Sequence, residues 1–200
     1  MVRVPRKPVL SIGFLILSLG FLGYAQVAAP AQIPGWSDSQ DSLAPYVPTP
    51  QEVVDKMLEL AQVTSKDVVY DLGCGDGRIV ITAANKYGAR GVGVDIDPQR
   101  VRECEANAKL AGVEKLVTCK LQDARTTDVS QATVVTLYLL SSSNLTLRPM
   151  LTRQLKPGAR IVSHSFSMGD WEPLKTEEIK NSNGYTRTLY LWIADGKVRQ

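Results

Sequence analysis

Cysteine is scarce and histidine nearly absent: the 200-residue chain has three cysteines, Cys74, Cys104 and Cys119, and one histidine, His164. An odd cysteine count without C-x-x-C spacing argues against a disulfide framework or a zinc site. A single histidine cannot build a His-based cluster, so no metal site is expected, and His164, in a strand-end segment, reads as structural. No Lys/Arg-rich run with interleaved aromatics occurs and the net charge is only +3, so no nucleic-acid partner is expected. Two phosphate-binding fingerprints are missing as well. The Walker pattern does not occur, and G-x-G-x-x-G fails because Arg78 stands where its third glycine belongs.

What is present is a chain with 44% hydrophobic residues, enough for one sizeable core, organised around one stretch from Val68 to Arg78. Val68, Val69 and Tyr70 read as a β-strand ending in Asp71. Gly73, Gly75 and Gly77 then break the chain before Ile79-Val80-Ile81 resumes as a helix. Alternating glycines let the backbone turn sharply and approach a ligand, and the helix start offers free N–H groups at a positive dipole end. A carboxylate at Asp71 would repel a pyrophosphate and suits a ligand carrying an ammonium group. Asp76 follows in the same turn, as a charge near a reacting group or as a first-turn helix acid.

Gly91 to Val94 reads as a buried second strand ending in Asp95, a carboxylate placed to accept hydrogen bonds from both hydroxyls of a ribose. Asp97-Pro98 looks like N-cap and first position of a helix that runs to Ala111 and closes at Gly112. Glu114 to Leu121 predicts a third strand, followed by Asp123 and Ala124. Ala132 to Leu140 predicts a fourth strand carrying Tyr138, Ser143 to Leu155 a helix, and Ala159 to His164 a fifth strand. Two further β segments, Leu174 to Lys180 and Thr186 to Ala194, predict a closing antiparallel pair. Before the first strand, Thr49, Pro50 and Glu52 read as a capping box that opens a helix over Val53 to Ala61. Strands alternating with helices predict an α/β fold with a doubly wound, mostly parallel sheet, and its carboxyl edge gathers Asp71, Asp95, Asp123 and Tyr138.

The N-terminus is separate in character. Arg3, Arg6 and Lys7 precede an apolar stretch from Val9 to Ala25, short for a membrane span and long for a signal-peptide core. Residues 1–31 therefore read as a membrane anchor, the preferred reading, or as a signal peptide cleaved near Ala29-Pro30-Ala31. Residues 32–44 form a linker, and 45–200 the main domain. The basic flank predicts an N-in orientation, which sets the domain on the far side of a membrane from the cytoplasm.

The D-x-G-x-G-x-G turn resembles motif I of the class I S-adenosylmethionine (SAM) dependent methyltransferases, which implies a Rossmann-like seven-stranded sheet and SAM as cofactor. In that pattern Asp71, Gly73, Gly75 and Gly77 hold the amino-acid end, Asp95 the ribose, and Asp123 with the Ala124 backbone N–H the adenine. Tyr46-Val47-Pro48-Thr49, the strand ending Leu137-Tyr138-Leu139-Leu140, and Asp170-Trp171-Glu172-Pro173 make the resemblance narrower. They look like the small membrane-anchored lysine methyltransferases that modify the ATP synthase c-subunit and the adenine nucleotide translocase, and their prokaryotic relatives. Ser141-Ser142-Ser143 departs from that pattern where a proline is expected. The resemblance implies a protein partner presenting a lysine, within a membrane protein, and attachment of the enzyme to the membrane through its N-terminal helix. It also implies that no nucleophilic side chain is needed. Tyr138, Tyr46 and Trp171 would line the acceptor channel, with Asp76 as a nearby charge. The alternatives are a noncatalytic SAM-fold module tethered to a membrane and a methyltransferase for a small molecule. A nucleotide-dependent oxidoreductase is opposed by Asp71 and Arg78. The far-side orientation conflicts with a cofactor made in the cytosol.

Overall fold

The computed structural model describes residues 42–180 and 184–200. The anchor or signal reading of residues 1–31 lies outside these, and among the described residues no helix is long and apolar enough to cross a membrane. The chain runs α1 (Gln51–Leu60), β1 (Val68–Leu72), α2 (Arg78–Tyr87), β2 (Arg90–Asp95), α3 (Pro98–Leu110), β3 (Val117–Leu121), a 3-10 turn (Ala124–Thr126), β4 (Val134–Leu137), α4 (Ser141–Gln154), β5 (Arg160–His164), β6 (Lys175–Lys180) and β7 (Thr186–Ile193). The strands form one sheet in the order β3-β2-β1-β4-β5-β7-β6. Strands β1 to β5 pair in parallel, and β7 pairs antiparallel with both β5 and β6.

The central strands are apolar on both faces because helices cover both. All five residues of β1 and all four of β4 are buried. Neighbouring residues divide between two cores, as the two-residue period of a strand requires. Val69, Val134 and Val162 pack with Val53, Met57 and Val80 of α1 and α2. Val68, Val135 and Ile161 pack with Leu147 and Leu151 of α4 and with Trp171 and Trp192. Sequence order reverses between β1 and β4, and the crevice beyond the carboxyl ends of such a pair is where an open α/β sheet holds its ligand.

Several expectations need correction. The capping box does not form: Pro50 is the N-cap of α1, with no side-chain cap hydrogen bond, and Thr49 is buried. Pro50 sits in extended geometry (φ −56°, ψ 146°), which sets the helix start one residue later. Strand β3 begins at Val117 because Leu116 and Val117 both donate to the Val113 carbonyl in a turn. Strand β4 stops at Leu137, where its register with Leu72 ends, so Tyr138 and Leu139 leave the sheet. Helix α4 begins two residues early, at Ser141. The reading against disulfide pairing needs correction too. Cys104 of α3 and Cys119 of β3 form a disulfide across a Cα–Cα distance of 6.1 Å, leaving Cys74 as the buried free thiol.

Candidate active site

A cleft at the carboxyl ends of β1, β2 and β4 encloses about 900 Å³, its solvent-open mouth included. It is walled by the glycine turn, by the loops after β2, β3 and β4, and by a strap of residues 42–49 that crosses in front of α1. Tyr46, Asp71, Gly73, Gly75, Asp76, Asp95, Asp123, Ala124 and Tyr138 all line it. Gly77 does not. It is the left-handed N-cap of α2 (φ +81°), and a Cβ there would press into Cys104.

Asp71 is buried in β1, and its Oδ1 accepts a 2.7 Å hydrogen bond from the Thr136 hydroxyl of β4. Burial pushes its carboxyl up to about 7; the Thr136 hydrogen bond opposes this, and the charges of Asp95 and Asp76 add to it. Such a carboxylate gains from a cation arriving in the cleft. Asp95 accepts from the Gly75 N–H at 2.8 Å and the Asp97 N–H at 2.9 Å, one bond to each oxygen. Burial raises it too. With about four lone-pair sites per carboxylate, Asp95 still has capacity for two hydroxyls. Asp97 caps α3 by accepting from the Gln99 N–H at 2.7 Å.

Asp123 lines the cleft and also does the ordinary work of a turn residue. It caps the 3-10 turn through the Arg125 N–H at 2.8 Å and pairs with Arg125 Nη2 at 2.6 Å, which holds its carboxyl below the usual range. Asp76 is likewise committed. Burial works against its ionisation, but its 2.6 Å ion pair with Arg78 Nη2 prevails and lowers it. Arg78 Nη1 donates to the Thr49 carbonyl at 2.8 Å, so this pair joins the glycine turn to the strap.

The strap carries Tyr46 over the turn. A Cβ at Gly75 (φ +54°) would overlap the Tyr46 ring, and the Arg100 guanidinium lies 4.3 Å from that ring's centroid. Arg100 is buried and lines the cleft, yet nothing in a charged helix pattern distinguishes it from a solvated arginine. The Ser143 hydroxyl donates to the Leu43 carbonyl, so one of the three serines that depart from the expected proline fastens the strap's other end. Trp171 is not brought to the site. It packs in the second core, 6.0 Å from Trp192, which donates its Nε1–H to the Trp171 carbonyl at 2.7 Å.

Residues 71–175 match the family described as the ANTKMT methyltransferase domain. The chain is 45% identical over 150 residues to a protein-lysine N-methyltransferase of Saccharolobus islandicus (strain REY15A), covering 74% of this chain and 92% of that protein. It is 30% identical over 129 residues to the human lysine N-methyltransferase for the ATP synthase c-subunit, with 64% of this chain and 54% of the human protein covered. A solved structure described as an RNA methyltransferase from Salinibacter ruber, in complex with S-adenosyl-L-homocysteine, is similar at 52% identity and a TM-score of 0.73. That match covers 77% of this chain and 97% of the Salinibacter chain. The seven-stranded sheet and the acid-lined glycine turn are thus those of a SAM-dependent methyltransferase of the Rossmann-like α/β class. Within that class the chain belongs to the ANTKMT methyltransferase domain family.

Proposed function

We propose that the protein transfers a methyl group from SAM to a lysine side chain of a protein. The observation that carries the reading is the set of three acids, Asp71, Asp95 and Asp123, that successive strand ends bring to one cleft. Their spacing along the carboxyl edge suits a ligand with an ammonium group, a ribose and an adenine. When bound, SAM supplies an electrophilic methyl on a sulfonium. Asp71 would take the ammonium, Asp95 the ribose hydroxyls, and Asp123 with the Ala124 N–H the adenine edge. The lysine methyltransferases among the relatives support the acceptor class.

Methyl transfer is an in-line displacement, so the chain's task is to hold acceptor and donor at near-attack distance and exclude water. A lysine must lose its proton before it can attack, and an apolar channel beside a positive sulfonium favours the neutral amine. Tyr138 and Tyr46 would form that channel and offer π faces to the cation that precedes it. Asp76 would act through Arg78, keeping the strap in place. The apolar segment within residues 1–31 would tether the enzyme beside membrane-protein substrates.

One observation favours a second reading, an RNA acceptor, namely the description of the Salinibacter relative. The test is incubation of the full chain with radiolabelled SAM and a membrane extract, divided before analysis into protease-treated and ribonuclease-treated halves. Label on a protein band that survives ribonuclease, and is absent with Asp71→Asn, supports the lysine reading. Label lost to ribonuclease transfers the case to RNA, and label only on small molecules overturns both.

A further inference from the structure

Beneath the cleft wall lies a group the proposed chemistry does not use. His164 ends β5, has no solvent exposure, and neither ring nitrogen has a hydrogen-bond partner among the described residues. A buried polar group without partners lowers stability, so an aliphatic side chain such as leucine would serve a purely packing role better. The imidazole stacks on the ring of Tyr138, with centroids 3.8 Å apart and planes 28° apart. Phe166 lies on the same aromatic group, 6.2 Å from Tyr138.

The chain after His164 is held in an unfavourable shape. Ser165 is in the left-handed region at φ +65°, a conformation that a residue with a Cβ rarely adopts unless its surroundings over-determine it. They do here. The Ser165 N–H donates to the Thr188 carbonyl at 2.7 Å, and the Ser163 hydroxyl to the Phe166 carbonyl at 2.6 Å. The buried Asn144 of α4 donates to the Phe166 and Ser167 carbonyls at 3.0 and 3.3 Å. The turn, the unpaired histidine and the stack meet where Tyr138 faces the cleft.

We propose that His164 is a positioning residue for the acceptor, the platform that holds the Tyr138 ring against the cleft wall, with the Asn144-braced turn fixing the platform's height. The inference rests on the reading of Tyr138 as part of the acceptor channel. The flat imidazole face, stacked on the Tyr138 ring with centroids 3.8 Å apart, sets where that ring lies in the cleft wall. The imidazole is also neutral, since burial, aided by the charge of Arg187, lowers it to about 4. The imidazole therefore adds no positive charge of its own beneath a site that must receive a cation.

The test uses the full chain with 3-fluorotyrosine incorporated, the Tyr138 resonance being assigned by its loss in Tyr138→Phe. His164→Ala is expected to lower kcat/KM for the acceptor by about 10- to 100-fold. Affinity for S-adenosylhomocysteine should stay within about twofold of wild type, and the Tyr138 resonance should shift and broaden. His164→Phe should restore turnover to within about threefold, because stacking survives, whereas His164→Leu should not. Wild-type turnover with an unchanged Tyr138 resonance in His164→Leu overturns the proposal, as does a His164→Phe variant as impaired as His164→Ala. If His164→Ala does not fold, the phenylalanine and leucine variants decide. If the wild type methylates nothing, the methyltransfer reading fails by itself, and the Tyr138 resonance in the leucine variant still decides whether His164 positions that ring.

Discussion

The hydroxyl of Thr136 donates to Oδ1 of Asp71 across the two strands on either side of the sheet's switch point, at 2.7 Å. This single bond orients a buried carboxylate that is raised to about 7, chiefly by burial. Its titration sets a sign for cofactor binding. A bound ammonium lowers the Asp71 pKa, so binding releases a proton wherever the free protein holds one. Affinity for S-adenosylhomocysteine, which keeps the ammonium, should therefore rise with pH up to about 7 and level off above it. The slope approaches about tenfold per pH unit well below 7. Titration calorimetry from roughly pH 5.5 to 8.5 checks this; Asp71→Asn should bind about 10- to 100-fold more weakly at high pH and lose the slope assigned to this group. The stability of the free protein has the opposite dependence on this group. Its folded pKa lies above the unfolded value of 3.8, so its contribution weakens as pH rises from about 4 to 7.

Two glycines with similar backbone angles should respond very differently to alanine. Gly75 (φ +54°) has the Tyr46 ring where a Cβ would go, while Gly112 (φ +69°) has nothing within 4 Å. Gly112→Ala then meets only the backbone penalty, about 1 kcal/mol, and should leave methyl transfer unchanged. Gly75→Ala meets the same penalty and must also displace the strap. Its S-adenosylhomocysteine affinity should fall at least about tenfold, a loss of about 1.4 kcal/mol. Thermal unfolding and calorimetry on both variants separate the two effects.

The glycine turn and its acids are readable in the sequence because they depend on local order: a strand, a carboxylate near its end, glycines and a helix. Asp95 is readable for the same reason. Thr136 is not, because its partner lies 65 residues away and only the β1–β4 register brings the two together. The strap is readable as Tyr46-Val47-Pro48-Thr49, but its fastening by Ser143 and Arg78 requires the tertiary fold. Ser143, one of the serines that break the expected pattern, is part of that fastening. Trp171 misleads because an aromatic beside acids looks like a binding residue, whereas a core needs large apolar groups for reasons invisible in a short motif. The cysteines mislead because spacing alone does not decide pairing. Helix α3 packs on β2 and β3, and this laying of helix over sheet brings Cys104 and Cys119 together.

That pairing makes a countable prediction. Denatured without reductant, the protein should react with one equivalent of a thiol reagent, at Cys74, and with three after reduction. The bridge closes a 15-residue separation, which corresponds to about 3 kcal/mol of stabilisation in the chain-entropy picture. For a protein of this size that is a fall in Tm of about 6–12 °C on reduction. The same fall should appear in Cys104→Ser. Cofactor affinity should decrease with it, because Gly77 rests against the Cys104 sulfur and carries the start of α2.

Trp171 and Tyr138 provide the last separation, between an aromatic that holds the fold and one that faces the reaction. Trp171 lies against Trp192 and under the Arg199 guanidinium, 4.2 Å from its ring, away from the cleft. Its contact with the Trp192 Nε1–H uses a backbone carbonyl, which any residue supplies. Trp171→Phe therefore keeps that hydrogen bond and loses only ring area and part of the cation–π contact, about 1–3 kcal/mol in all. Its Tm should fall by a few degrees, with kcat/KM unchanged where the protein is folded. Tyr138 is half-buried, beyond the end of β4, and its ring forms part of the cleft wall. Tyr138→Ala should lower kcat/KM about 10- to 100-fold with a smaller change in Tm. A Trp171→Phe variant that loses turnover at a temperature where circular dichroism shows it folded would put Trp171 back in the acceptor channel.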